Sequence, residues 1–427
     1  KDSRNFDLYE MVATYRGGYL PHERRNIENA FRKGEILCVA STNALELGID
    51  IGELDASVIV GFPGTIASCW QQAGRSGRTS SVSLSIFVAS SNPIDQFIVR
   101  NPEYFFEKTP ESGYVDPNNF QILMDHLKCS VFELPYGKFE NIDPEVSEIL
   151  SYLSEIGQIH RVGGAWYWSS DKYPATDVSL RTSNPNSITI FKRENGRRFV
   201  LGKMDFQSAK IYLHKGAIYI HDSNQYIVND IDMDAASAEV VSSNYDYFTE
   251  PVVDVNIKVL NRLGLKGNKV PIVFCDIVLI RNITRFKKIR YTTHDVVGSG
   301  DVDLPSDEIH TRSATIIFSE KKILENTHLE NNSNSIHSII ESLTYLIRNI
   351  SPVFLMCDHG DIGVYGKSFD SQFKAPVIYI FDLVPGGVGI AVGFIEKQEV
   401  ILQACYHAVL SCICEYGCHV NLVYAAL

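Results

Sequence analysis

Long apolar runs are missing from the sequence. Across 427 residues no stretch approaches the ~18 uninterrupted apolar residues of a membrane-spanning helix. Lys1-Asp2-Ser3-Arg4-Asn5 leads into no apolar signal core, which argues against secretion and for a cytoplasmic protein without a membrane partner. Internal repeats and low-complexity linkers are absent too, which excludes solenoids and long flexible spacers. Basic excess is lacking: 39 Lys and Arg against 51 Asp and Glu leave a net charge of −12. Summed over the chain, that balance argues against a polyanionic partner. Apolar residues are plentiful, and at 45% they exclude wholesale disorder. The length suits roughly two to four domains.

Nine cysteines, an odd number with no signal peptide, read as reduced thiols. Cys38, Cys69, Cys129, Cys275 and Cys357 are dispersed, mostly in apolar runs such as Pro271-Ile272-Val273-Phe274-Cys275, and read as small buried hydrophobes. Cys405, Cys412, Cys414 and Cys418 are bunched at the end of the chain.

Periodicity divides the sequence. Pro21 opens a helix over residues 22–32 with Ile27, Ala30 and Phe31 on one stripe, and Gly34 stops it. Short apolar runs at 36–40, 57–62 and 84–89 predict strands buried on both faces. Strands alternating with helices predict an α/β domain with a parallel sheet over residues 1–110. Residues 143–156 then carry Val146, Ile149, Leu150 and Leu153 on one helical face, followed by a hairpin at Gly163-Gly164. Helix plus hairpin reads as the end of a winged helix, placed at 111–170. Strand patterns dominate a β-rich region at 171–310, where Asn195-Gly196 marks a tight turn. Residues 311–427 read as α/β, with a helix at 334–350, a buried strand at 377–381 and a last helix at 400–412.

Two strings carry chemistry. Ser41-Thr42-Asn43-Ala44-Leu45-Glu46-Leu47-Gly48-Ile49-Asp50 follows an expected strand, so Thr42 falls at the carboxyl edge, where open α/β sheets hold ligands. Gln71-Gln72-Ala73-Gly74-Arg75-Ser76-Gly77-Arg78 is a glycine-spaced arginine pair. A guanidinium can neutralise charge that develops on a transferring phosphoryl group, and the flanking glycines allow close approach.

These strings resemble motifs V and VI of superfamily 2 helicases, on the second of two RecA-like motor domains. Arg16-Gly17-Gly18-Tyr19-Leu20-Pro21, Asp125-His126-Leu127, His214-Lys215-Gly216-Ala217, Asp246-Tyr247-Phe248-Thr249, Cys357-Asp358 and Asp382-Leu383-Val384-Pro385-Gly386-Gly387 extend the likeness along nearly the whole chain. The resemblance is to the MrfA (YprA-like) bacterial DNA-repair helicases. It implies an ATP-dependent 3′-to-5′ DNA helicase with paired RecA domains, a winged helix and a zinc-binding C-terminal domain. It also implies roles: Arg75 and Arg78 as arginine fingers, Gln71 on the nucleotide with Gly74 beside it, and Thr42 on the translocated strand's phosphate. Gly48 with Asp50 would couple that contact to the nucleotide cleft.

Such a motor also needs a P-loop and a DExx box to hold ATP and Mg²⁺. Gly363-Val364-Tyr365-Gly366-Lys367-Ser368 lacks the first P-loop glycine, since Asp361 stands there, and Asp307-Glu308-Ile309-His310 follows no buried strand. Both also lie on the wrong side of the arginine motif. The expectation is therefore a C-terminal part, cut inside its second motor domain and lacking the motif IV strand before Arg16. Its partners would be DNA, single-stranded or partly duplex, and the first RecA domain of the same protein; alone it would be inactive as an ATPase. A non-catalytic nucleic-acid-binding module and an RNA helicase fragment remain as alternatives.

For zinc, Cys412-x-Cys414-x3-Cys418 offers three soft donors. The family pattern places a fourth cysteine where Asn421 stands, leaving His419, His407 or Cys405 as substitutes. Segment sums temper the charge argument: residues 1–110 hold 11 basic and 13 acidic side chains, and 281–290 hold five basic and no acidic ones. That second segment, with Arg285, Lys287, Lys288 and Arg290, reads either as a phosphate-tracking strand with Phe286 or Tyr291 free to stack, or as a solvated strand. His214 and His221 read as structural residues on one strand. The Pro385-Gly386-Gly387 turn reads as a chain reversal, with a phosphate-cradling nest as the alternative.

Overall fold

The computed structural model describes residues 11–46, 54–77, 82–90, 92–111, 113–116, 119–137, 142–178, 187–194, 196–222, 224–266, 270–321, 323 and 333–410. Val12–Tyr15 (β1) pairs in parallel with Cys38–Ser41 (β2), and Pro21–Arg32 (α1) connects them. The four residues of β1 directly precede Arg16 and are held by their parallel partner β2. Ala56–Val60 (β3), Ile66–Ala73 (α2) and Leu84–Val88 (β4) repeat the pattern, with β3 and β4 parallel. Pro93–Arg100 (α3) and Pro102–Phe106 (α4) follow.

Parallel pairing and the intervening helices match the expected α/β class, but the strands are not buried on both faces. Ile66, Ile94, Ile98 and Tyr104 gather with Phe62 and Phe87 into a small core on one side. In the register Ile59 opposes Phe87, so the alternate positions Val58, Val60, Ile86 and Val88 point the other way. Val60 is 79% exposed. One helical layer covers one face, and among the described residues nothing seals the second.

Phe120–Glu133 (α5), Pro144–Glu155 (α6) and the hairpin Ile159–Val162 (β5) with Ala165–Trp168 (β6) form the next unit. Leu127 and Val131 pack on Ile149, Leu150, Leu153, Ile159 and Trp166, with Trp168 against the same core. Both tryptophans face inward, and Arg161 lies over the Trp166 ring.

Ser187–Glu194 (β7), Arg197–Asp205 (β8), Phe206–Tyr212 (α7), Ile218–His221 (β9), Asn224–Asp232 (β10) and Ser237–Ser242 (β11) build a five-stranded sheet of order β8-β7-β11-β10-β9. Only β7 and β11 run parallel, and α7 bridges the two edge strands. The expected single strand carrying both His214 and His221 is instead a helix end, a turn and β9, because Asp205 accepts the Ser208 N–H and starts α7. Both histidines are buried, which depresses their pKa and keeps the neutral form.

Tyr247–Lys266 (β12), Ile272–Arg290 (β13), Val296–Asp301 (β14), Asp307–Ile317 (β15), Ile362–Asp370 (β16) and Ala375–Asp382 (β17) make an antiparallel sheet of order β12-β13-β15-β17-β16, with β14 also on β13. Ser333–Leu355 (α8) and Ile390–Leu410 (α9) cover one face. Ile272, Phe274, Ile378 and Ile380 point at the helices, while Val273, Cys275, Val377 and Tyr379 fill a second core behind. The expected division near residue 310 therefore falls inside β15, since one sheet spans both sides of it. The P-loop-like string lies within β16, an extended ladder strand and not a loop. The last helix begins ten residues before the expected start.

Candidate functional site

The two chemistry-bearing strings are joined directly. Thr42 sits beyond the end of β2 and accepts the Ala44 N–H, which turns the chain into a short helical turn at Asn43–Leu45. The Glu46 that follows is the connecting residue. Its carboxylate Oε2 accepts from Ser68 Oγ at 2.6 Å and Gln72 Nε2 at 3.1 Å, both on α2. Its backbone carbonyl accepts a hydrogen bond from Arg75 Nη2. Gln71 and Gly74 are exposed beside them, and Ser76 bridges back to Leu54 ahead of β3. Thr42, Gln71, Gly74 and Arg75 are thus tied to one edge, whereas Gly48, Asp50 and Arg78 lie outside the described residues. Sequence reasoning missed Glu46, although it lies inside the first string; its carboxylate holds α2 and its backbone carbonyl holds the arginine loop.

The basic stretch looks different in three dimensions. Phe286, at 4% exposure, packs on His214 at 4.6 Å between ring centroids, so no base can stack on it. Ile289 is buried as well, and opposite it the pairing skips Val297 of β14, while β12 pairs with residues 285–290 without a shift. Neighbouring strands also bring acids to the basic residues. Glu250 lies opposite Lys287, Asp301 opposite Arg285, Asp246 binds Arg290 at 3.2 Å, and Asp307 binds Arg281. Lys288 covers the Tyr247 ring. The five positive charges of the linear sequence thus become a mixed surface.

The glycine turn after β17 is already filled. Asp382, 0% exposed, accepts the Val388 and Ala391 N–H groups at 3.2 Å with its two oxygens, at the N-terminus of α9. A phosphate there would displace this carboxylate. Asn119 closes the turn from the other side, donating to the Pro385 and Gly387 carbonyls at 2.8 Å each. Gly386 has φ +78°, and a Cβ there would lie 2.5 Å from Asn119 Nδ2. The turn is a joint between α5 and the large sheet.

Cys412, Cys414 and Cys418, with Asn421 and His419, lie outside the described residues. Of the reserve donors, Cys405 does not fit a metal: it is buried in the core beneath α9, and burial pushes its thiol up to about 12. His407, exposed on the last turn of α9, has a free approach. Among the described residues no group of three His, Cys, Asp or Glu side chains could hold an ion.

Residues 4–80 match the family described as the helicase conserved C-terminal domain, and residues 343–420 match the MrfA Zn-binding domain. The uncharacterized ATP-dependent helicase YprA of Bacillus subtilis is 40% identical over 96% of this chain and 54% of its own length. The chain matches the C-terminal portion of MrfA-like helicases. It spans about half the length of the curated relatives it matches; for the ATP-dependent helicase HRQ1 of Saccharomyces cerevisiae, 30% identical, the share is 40%. The crystal structure of the DUF1998 helicase MrfA bound to DNA is 38% identical, with a TM-score of 0.71 over 98% of this chain and 56% of that one. The same helicase bound to DNA and AMPPNP gives 0.68. The shared fold includes both chemistry-bearing strings and both large sheets. None of its described helices is long and apolar enough to cross a membrane.

Proposed function

We propose that this chain is the C-terminal part of an ATP-dependent DNA helicase that translocates 3′ to 5′ along single-stranded DNA during DNA repair. The observation that carries the reading is the hydrogen bond from Arg75 to the Glu46 backbone, which locks the arginine loop to the turn that begins at Thr42. In this reading a P-loop-bearing RecA domain holds ATP and Mg²⁺. Arg75 and Arg78 approach the γ-phosphate from this side, with Gln71 and Gly74 lining the nucleotide. Thr42 holds a strand phosphate. Movement of either string moves the other through Glu46, which is the coupling a translocating motor needs. In this assignment Gly48 and Asp50 couple the Thr42 contact to the nucleotide cleft. Alone, the chain binds ATP weakly and hydrolyses none. Cys412, Cys414 and Cys418, with His407 or His419, would together hold a zinc, which would supply structural stability without redox chemistry.

The test is steady-state ATP hydrolysis with the P-loop domain in the same polypeptide. Arg75→Ala and Arg78→Ala each lower the DNA-stimulated kcat by about 10³-fold or more, the contribution of an arginine finger, with single-strand binding retained. Unchanged turnover overturns the assignment.

A further inference from the structure

We infer that the five-stranded sheet supplies the second wall of a single-strand channel, with Lys203, Ser208 and Tyr212 facing Thr42 and gripping the backbone and a base of a single-stranded nucleic acid. The inference rests on the helicase reading, which gives Thr42 its phosphate contact, and adds a wall from a separate part of the chain.

A cleft of about 790 Å³, open to solvent, separates the two parts. One side is the Arg16-Gly17-Gly18 turn with Thr42 and Asn43; the other is the end of β8, the exposed side of α7, and β9. The walls are braced at fixed separation. Tyr19 forms an isolated bridge with Gly202, and the Lys203 N–H donates to the Gly18 carbonyl at 3.4 Å. A Cβ on Gly202 would lie 2.5 Å from that carbonyl, so only glycine permits this approach. Arg16 crosses the floor to bond Tyr219 and His221 Nδ1.

Charge in the cleft is unbalanced. Neither Arg16 nor Lys203 has a carboxylate within ion-pair distance among the described residues, and the buried Arg16 Nε has no hydrogen-bond partner. Burial, reinforced by the adjacent guanidinium, holds His221 below the usual histidine range, so it accepts from Arg16 as a neutral ring. Asp205, the acid on the wall, spends one oxygen capping α7 through the Ser208 N–H at 2.8 Å. Arg16 and Lys203 against Asp205 leave the lining with a net charge of +1, which favours an anion. The hydroxyls of Thr42 and Ser208 suit phosphate oxygens, and Tyr212, 56% exposed at the rim, offers a stacking face for a base.

Fluorescence anisotropy of a fluorescein-labelled oligo(dT) probe on this chain tests the second wall. Lys203→Ala should reduce the slope of log affinity against log salt by about 0.7, the share of one phosphate contact on a single strand. Tyr212→Ala should weaken binding about tenfold, as loss of one base stack does, with the slope unchanged. Both side chains are exposed, so thermal melting should match the parent and exclude misfolding. If both variants bind like the parent while Thr42→Ala weakens binding, the second wall is wrong and the helicase reading stands. If the parent and Thr42→Ala both fail to bind the probe, the helicase reading falls, and the channel with it. Ultraviolet crosslinking to 4-thiothymidine in the same probe should label the segment containing Tyr212; crosslinks confined to residues 281–290 would overturn the channel.

Discussion

Strands β3 and β4 are as apolar as β13 and β17, yet the first pair is covered on one face and the second pair on both. In the small pair, α2, α3 and α4 lie on one side and Val58 and Val60 stand open on the other. In the large sheet, α8 and α9 seal one face, and Tyr365, Phe373 and the residues of β12 close the other. Apolar area removed from water contributes about 25 cal/mol per Å², so the folding energy of this chain is concentrated in the C-terminal sheet. The Thr42 and Arg75 strings sit on the thinner part. A weakly buttressed layer can shift relative to a heavily packed one, which suits the nucleotide-responsive role proposed for these strings.

Mutations sharpen this contrast in graded steps. Phe394→Ala empties a fully buried position beneath the large sheet and should cost about 3–5 kcal/mol, read by urea unfolding; a loss no greater than that of a surface substitution would erase the contrast. Asp382 gives the next effect. Burial raises its pKa from 3.8 to about 6, against the backbone N–H groups that donate to it. The native state therefore keeps a proton that the unfolded chain releases between these values. Stability relative to Asp382→Asn should fall as pH rises through that window, by at most about 3 kcal/mol, and level off above it. A stability difference that rises with pH would show that the carboxylate is held charged by the turn. Asn119→Ala removes the α5 cap and two bonds to the glycine turn, at a cost of about 2 kcal/mol in the same urea assay. Smallest of all, Val60→Thr on the open face should stay within about 0.5 kcal/mol of the parent.

Local pattern made much of the fold legible. The Asn195-Gly196 turn, the Pro21 helix start, the α6 helix and its hairpin, and the buried β17 all follow from period and punctuation within a few residues. The arginine and threonine strings were legible for the same reason, as compact motifs. Four features were not, and each depends on residues distant in sequence. Phe286 is buried because His214 lies on it. The positive stretch is neutralised by Glu250, Asp301, Asp246 and Asp307 on adjacent strands. The glycine turn is filled by Asp382 and closed by Asn119. Val58 and Val60 are exposed because the covering layer lies on one side only. A one-dimensional pattern reports what a strand wants to bury, and not whether anything arrives to cover it.

The Asn119 joint also has a bearing on the order of events during synthesis. Its two carbonyl partners lie 266 and 268 residues further along the chain. Contacts of such separation form slowly, because a long loop must close before they repay it. The α5–α6 unit, whose core is assembled from residues within about fifty positions of one another, can be complete on the ribosome long before Pro385 emerges. Until then Asn119 caps the start of α5 through its Oδ1 while its Nδ2 lacks the two carbonyls of the glycine turn. Docking of this unit against the sheet must follow synthesis of the Pro385 turn, and the two Asn119 bonds form only once the two have met.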